Sequence, residues 1–204
     1  RACGIGAWTD RPEDPATRVR VVAEMKPPGE CWDNLLFNTG GAEKVILLAF
    51  KNPALKPLTG KTLAEVAAMR GKSPEETAVD LVIEDGTRVG TAYFLMDEAN
   101  VARQTALPWV GFGSDAASQA PEGVFLKSST HPRAYGNFAR FLGRYVRDER
   151  TATLADAMRR LSGFPASNLG IRDRGVLKYG NFADLAIFEP AKNADPATLH
   201  TPTQ

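Results

Sequence analysis

The chain has 204 residues, of which 43% are hydrophobic and 24% charged, an ordinary composition for a soluble globular protein. Its formal net charge of +1 argues against nucleic-acid partners and against binding to an anionic membrane. The longest apolar runs, such as VILLAF at 45–50, are too short to span a membrane. Two cysteines, Cys3 and Cys31, favour neither a zinc cluster nor a disulfide framework, so we expect a reducing, cytoplasmic location.

The first part of the chain predicts helices around one buried strand. Asp14 is a favourable N-cap, Pro15 suits the first helical position, and apolar residues follow at helical spacing. The predicted elements are a helix over 14–25, a short buried strand over 44–50, and helices over about 62–70 and 74–84.

One stretch, LTGKTLAE at 58–65, ends like a phosphate-binding loop. Such a loop needs a glycine five residues before its Gly-Lys pair, and this chain has Leu55 there. Thr62 and Glu65 instead have the spacing of a capping box, and residues 73–76 repeat it. We therefore interpret the stretch as a helix start rather than a nucleotide site.

The middle of the chain predicts a strand, a helix and a second strand, over 88–95, 97–107 and 109–113. The last of these, WVGFG, shows no polar alternation, which is typical of a strand buried on both faces. We therefore expect a right-handed βαβ unit with parallel strands.

A long loop from 114 to about 134 follows these elements. The predicted elements after it are helices over about 136–148, 153–162 and 165–170, and a strand-like segment over 175–190 that ends in a polar tail.

Asp115 directly follows the predicted strand WVGFG. In parallel α/β folds, residues beyond the carboxyl end of a strand form the rim of the active site, so Asp115 is a candidate catalytic carboxylate. The alternative is that Ser114 or Asp115 only caps the next segment or forms an Asx-turn.

The loop at 126–138 favours the functional interpretation, because it gathers His131, Arg133 and Tyr135 within five residues. A guanidinium suits bidentate binding of a carboxylate. The alternative is a surface arginine that packs on Tyr135. The only other histidine is His200, in the polar tail, so the chain alone cannot build a metal site.

Four stretches of the sequence resemble the N-acyl-D-amino-acid deacylases, or D-aminoacylases, of the amidohydrolase superfamily. They are GTAYFLM at 90–96, VGFGSDAAS at 110–118, HPRAYGNFARFLGRYVR at 131–147 and GFPASNLGIRDRGVLKYGNFADLAIFEP at 163–190. The spacing of Gly175, Leu177, Gly180, Ala183, Asp184 and Leu185 is similar to the superfamily's small β-domain. That spacing identifies the superfamily only, whereas the Gly-Ser-Asp strand end followed by His-Pro-Arg-x-Tyr-Gly is far more specific to the deacylases.

The resemblance implies an α/β fold that is the C-terminal part of a TIM-like (β/α)8 amidohydrolase barrel. This part would carry an inserted α/β subdomain and a C-terminal small β-domain segment. The implied domains are an insertion over the active site at 1–88, the last barrel strands and helices with the active-site loop at 89–170, and a β-sandwich segment with the tail at 171–204.

The resemblance also implies a role for each candidate residue. Asp115 would be the general base and acid of amide hydrolysis and a candidate contact to a second metal, and Arg133 would hold the carboxylate of the small-molecule N-acyl-D-amino acid. Tyr93 and Met96 would line the side-chain pocket, and both could equally be ordinary core residues. His131 and Ser114 would orient their neighbours.

The chain departs from the family in its metal ligands. The family's His-x-His pair, its ligand cysteine and its two later histidines are absent, so we expect zinc in the complete enzyme but not in this chain alone. The chain is accordingly expected to be an inactive C-terminal portion, with the missing N-terminal barrel half as a partner. The alternatives are a non-catalytic binding or assembly module, and an amidohydrolase for a cyclic amide or dipeptide.

Overall fold

The computed structural model describes residues 14–29, 31–127, 130–199, 201 and 203. The chain divides into two compact units, one comprising Arg1–Leu95 with Leu126–Ser129 and the other Met96–Phe125 with Thr130–Gln204. Within the described ranges, no helix combines the length and apolar character needed to cross a membrane.

The first unit consists of helices around one small sheet. Its elements are α1 (Pro15–Glu24), α2 (Leu35–Asn38), a 3-10 turn (Ala42–Lys44), β1 (Val45–Ala49), a 3-10 turn (Pro53–Leu58), α3 (Leu63–Arg70), α4 (Pro74–Asp85) and β2 (Gly90–Tyr93). The predicted helix starts are confirmed: Asp14 caps α1, and Thr62 and Ser73 form complete capping boxes with Glu65 and Glu76.

The two strands of the first unit pair antiparallel, with Val45 opposite Tyr93 and Leu47 opposite Thr91. The inner face of β1 packs on α3 and α4, and the buried residues of this core are Ala42, Val45, Leu47, Phe50, Leu55, Leu63, Val66 and Leu81. Leu55, which stands where a phosphate loop would need glycine, is therefore a core residue.

The second unit is helical. Its elements are α5 (Glu98–Thr105), a 3-10 turn (Gly123–Lys127) that continues into the first unit's range, α6 (Arg133–Arg140), a π-helical continuation (Phe141–Asp148), α7 (Leu154–Leu161) and α8 (Gly163–Asn168). Its core gathers Phe141, Tyr145, Val146 and Ala157, with Phe112 packed against them.

The prediction of a parallel βαβ unit is wrong. Residues 109–113 form no strand, and β2 pairs antiparallel with β1 instead. The backbone N–H and C=O groups of a strand need hydrogen-bond partners. Here arginine side chains bind the backbone carbonyls instead of a neighbouring strand. Arg160 donates from Nε to the Val110 carbonyl at 2.9 Å, and Arg159 donates from Nη2 to the Pro108 carbonyl at 2.5 Å.

The strand-like segment 175–190 also forms no strand. Its few backbone bonds are local, such as the Phe182 amide to the Asp173 carbonyl, and an ion pair joins Arg174 to Asp184. Leu177 and Ile187 are exposed, as expected for an apolar strand sequence that has no sheet to join. The β-sandwich segment at 171–204 and the other domain boundaries remain predictions.

Candidate functional site

Asp115 lies just beyond an extended segment that packs on the core of the second unit. The ring of Phe112, three residues earlier, stacks on Phe141 with 3.9 Å between the ring centroids. The backbone of Asp115 has a φ of 45°, a left-handed conformation that aspartate tolerates better than most residues. Its side chain is 87% exposed, so the carboxylate is accessible to a ligand.

Arg133, the first residue of α6, contacts Asp115 directly. Its Nη2 lies 2.5 Å from Oδ2 of Asp115 and 2.8 Å from the carbonyl oxygen of the same residue. The structure therefore brings together two candidate residues that are eighteen positions apart in sequence. One guanidinium nitrogen fixes both the side chain and the backbone of Asp115.

This ion pair is open to solvent, because 43% of the Arg133 side chain is exposed. Exposed ion pairs contribute only about 0–1 kcal/mol to stability, since water screens both charges. The Arg133 Nη1 and Nε atoms have no hydrogen-bond partner among the described residues. The guanidinium can therefore accept a second anion without a large loss of stability.

His131 orients the start of α6. Its Nδ1 accepts a hydrogen bond from the Arg133 backbone N–H at 3.1 Å, so the neutral ring carries its proton on Nε2. Loss of water around the ring and the positive charge of Arg133 lower the pKa of His131 below its ordinary value of 6.5. The ring is therefore neutral at pH 7.

The remaining candidates lie at different places. Ser114 is half-buried beside Asp115. Tyr93 ends β2 in the first unit, and Met96 begins the second unit with 84% of its surface exposed. The cation–π contacts of the described residues include none between Arg133 and Tyr135.

The donor groups do not fit a zinc ion. Within the described ranges, no group of three His, Cys, Asp or Glu side chains is placed to bind a metal. Cys31 is exposed, and Cys3 and His200 lie outside the described residues. A catalytic zinc needs about three protein ligands, which Asp115 alone does not supply.

The segment that leads to Asp115 is held by three residues of α7. Sequence reasoning missed all three. Arg160 is fully buried and donates to the carbonyls of Thr105 and Val110, while Arg159 donates to that of Pro108. Asp156 pairs with both arginines. The available signal was the helical period of 153–162, which places one of two adjacent arginines toward the core.

Comparison with known proteins identifies the family. A family model described as the amidohydrolase family matches residues 52–204. The chain belongs to this amidohydrolase family. The match covers Asp115, Arg133 and the whole second unit as well as α3, α4 and β2.

Curated relatives confirm the resemblance to the deacylases within the amidohydrolases. The chain is 40% identical over 147 residues to the D-aminoacylase of Alcaligenes xylosoxydans xylosoxydans, which covers 72% of this chain. It is 35% identical over 146 residues to the N-acyl-D-aspartate deacylase of the same organism, again covering 72% of this chain. The chain spans only 28% and 27% of those two proteins.

A solved structure supports the same assignment. The N-acyl-D-glutamate deacylase of Bordetella bronchiseptica, crystallised with zinc and a phosphonate that mimics the tetrahedral intermediate, matches with a TM-score of 0.67 and 34% identity. That match covers 82% of this amidohydrolase chain and 32% of the other chain. The neighbour is a barrel-type amidohydrolase, which supports the α/β fold class at this coarse level.

Proposed function

We propose that the protein containing this chain hydrolyses the amide of N-acyl-D-amino acids, and that Asp115 and Arg133 belong to its active site. The direct contact between these two side chains is the observation that carries the proposal. The similarity to three proteins named as D-amino-acid deacylases supports the substrate class.

Asp115 is the proposed proton-transfer group. Hydrolysis of an amide needs a base that takes a proton from water and an acid that returns one to the leaving amine. A carboxylate performs both steps when it reaches both positions, and the side chain of Asp115 is exposed to a substrate apart from its contact with Arg133. The left-handed backbone at Asp115 is the kind of local strain that clusters at functional sites.

Arg133 is the proposed ligand of the substrate carboxylate. Its guanidinium holds Asp115 through Nη2 alone, which leaves Nη1 for a second carboxylate. A substrate carboxylate that binds through two parallel hydrogen bonds, from Nη1 and Nη2, competes with Asp115 for Nη2. Substrate binding would therefore release the Asp115 carboxylate at the moment when a base is needed.

The other candidates have supporting roles in the proposal. His131 fixes the start of α6, and therefore Arg133, through its Nδ1 atom. Ser114 orients Asp115 from the preceding position. Tyr93 and Met96 stay in the proposal only as candidate substrate-binding residues, which is what the resemblance to the deacylases implies.

We also propose that zinc completes the site and that its ligands come from residues other than those described. The described donors do not fit the ion, and the chain spans less than a third of its curated relatives. The proposed domains are an insertion at 1–88, the last barrel elements at 89–170 and a β-domain segment at 171–204. The N-terminal half of a barrel is the proposed partner.

The test is to purify the protein from its native source, determine its intact mass and metal content, and assay N-acetyl-D-amino acids beside their L enantiomers. We expect zinc in the preparation that hydrolyses the D substrates. Hydrolysis of the L enantiomers at equal rates, or no hydrolysis of any D substrate by the zinc-containing protein, would contradict the proposal.

The isolated 204-residue chain provides the matched control. We expect it to bind no zinc and to release no free amino acid, because its described donors do not form a metal site. A stoichiometric zinc ion in the isolated chain would show that the proposed source of the ligands is wrong.

A further inference from the structure

We infer that the adjacent arginines of α7, Arg159 and Arg160, position the catalytic Asp115 by holding the backbone that leads to it. This inference rests on the proposed function of Asp115. Neither arginine contacts Asp115, so their role is one of positioning.

We call Arg160, Arg159 and Asp156 the clamp, and Arg160 makes most of its contacts. Its side chain is fully buried, with Nε 2.9 Å from the Val110 carbonyl and Nη1 2.7 Å from the Thr105 carbonyl. Its guanidinium also lies over the ring of Phe112, 4.6 Å from the centroid. Arg160 therefore binds both ends of the turn at 105–110 and also contacts the side chain of Phe112, two residues beyond it.

Arg159 and Asp156 complete the clamp. Arg159 donates from Nη2 to the Pro108 carbonyl at 2.5 Å, between the two carbonyls that Arg160 holds. Asp156 lies 2.9 Å from Nη2 of Arg159 and 3.3 Å from Nη1 of Arg160. One carboxylate thus orients both guanidinium groups toward the same turn.

The energetics of Arg160 favour a positional role over a simple gain in stability. Burial of a charged group is unfavourable unless all its donors are paired, and Nη2 of Arg160 has no hydrogen-bond partner within the described ranges. A buried apolar side chain would fill the same space without an unpaired donor. Unlike an apolar residue, arginine provides a planar group that binds two carbonyl oxygens at once.

The clamp reaches the active site through the short segment 110–115. Phe112 is fixed between Arg160 and Phe141, and only Gly113 and Ser114 separate it from Asp115. Arg133 contacts Asp115 itself, whereas the clamp holds the backbone that leads to it, so two separate sets of contacts position this residue. Loss of the clamp would leave the Arg133 contact in place while the backbone of Asp115 gains freedom.

The experiment compares Arg160→Lys with Arg144→Lys. Lysine keeps the charge but cannot bind two carbonyls in the fork geometry. Arg144 is the matched control, because it lies 5.5 Å from the centroid of the Tyr145 ring and pairs with Glu98 and Glu149 in the same unit. The readouts are the carbon-13 carboxyl resonance of Asp115 in the chain at neutral pH, and kcat and KM for N-acyl-D-amino acid hydrolysis by the zinc-containing protein.

We expect Arg160→Lys to move the Asp115 resonance and to lower kcat by about 10- to 100-fold with KM nearly unchanged. Arg144→Lys should change neither. An unmoved Asp115 resonance in Arg160→Lys overturns the inference, and so does a moved resonance with unchanged kcat. An inactive wild-type protein would contradict the proposed function alone, because the resonance still decides whether the clamp positions Asp115.

Discussion

Arg133 Nη2 lies 2.5 Å from Oδ2 of Asp115 and 2.8 Å from its carbonyl oxygen. The contact joins the start of α6 to the end of the segment held by α7, all within the second unit. It places a carboxylate that can transfer protons beside a cation that can bind a substrate carboxylate. This relationship underlies the proposed hydrolysis.

Arg133→Lys is expected to raise KM by about tenfold or more while kcat falls less. A lysine ammonium retains the charge, but it cannot bind a carboxylate through two parallel hydrogen bonds. Steady-state kinetics of the zinc-containing protein measures the two parameters separately.

The same substrate provides the control. Replacing its carboxylate by a neutral carboxamide should raise KM more for the wild-type protein than for Arg133→Lys, because only arginine forms two parallel hydrogen bonds to the carboxylate. If both proteins lost affinity equally, the substrate carboxylate would bind somewhere other than Arg133.

The pH dependence of stability should show the contribution of His131. Its pKa in the folded chain lies below the ordinary value of 6.5, so the unfolded chain takes up this proton first as the pH falls. The free energy of unfolding should therefore decrease below pH 6.5, and protonation also removes the acceptor of the Arg133 N–H. Denaturant unfolding of the chain at pH 7.5 and 5.5 measures the change.

His131→Asn is the matched variant, because the amide oxygen accepts a hydrogen bond at both pH values. Its free energy of unfolding should fall less between pH 7.5 and 5.5 than that of the wild-type chain. An equal fall in the two chains would assign the effect to other groups.

Thr62→Ala should destabilise the first unit by about 1 kcal/mol, because the Thr62 hydroxyl caps α3 by accepting the Glu65 N–H. The same substitution at Thr59 is the control, since that side chain is exposed and lies outside the helix. It should cost less than about 0.5 kcal/mol. Urea unfolding measures both variants. If Thr62→Ala and Thr59→Ala lost equal free energy of unfolding, the capping box would not stabilise α3.

The helices were predictable because their signals are local. Asp14, Thr62 and Ser73 bind backbone groups three residues away, and those short loops form wherever the sequence places them. Gly71 and Gly86 follow α3 and α4 with φ values of 62° and 64°, as a left-handed helix end requires.

The strands were less predictable because a strand depends on its neighbours. Residues 109–113 and 175–190 have apolar strand sequences, yet the described residues provide no sheet for them. The first segment is held by arginine side chains instead, and a contact of fifty residues' separation between Arg160 and Val110 leaves no local sequence signal.

The candidate site was partly predictable. Asp115 and Arg133 were selected from their residue types and places, and the structure adds their direct contact. The roles of all the candidate residues remain predictions. Arg160 was missed because the helical period turns one of two adjacent arginines toward the core but does not show that it binds the carbonyls of Thr105 and Val110.

The most direct test of the central claim is kcat of Asp115→Asn in the zinc-containing protein with an N-acetyl-D-amino acid. Asparagine keeps the shape but cannot transfer the proton, so we expect a loss of about 100-fold or more. Asp148→Asn, at another exposed ion pair of the same unit, should retain full activity. If Asp115→Asn kept kcat within about tenfold of wild type, Asp115 would not be the proton-transfer group.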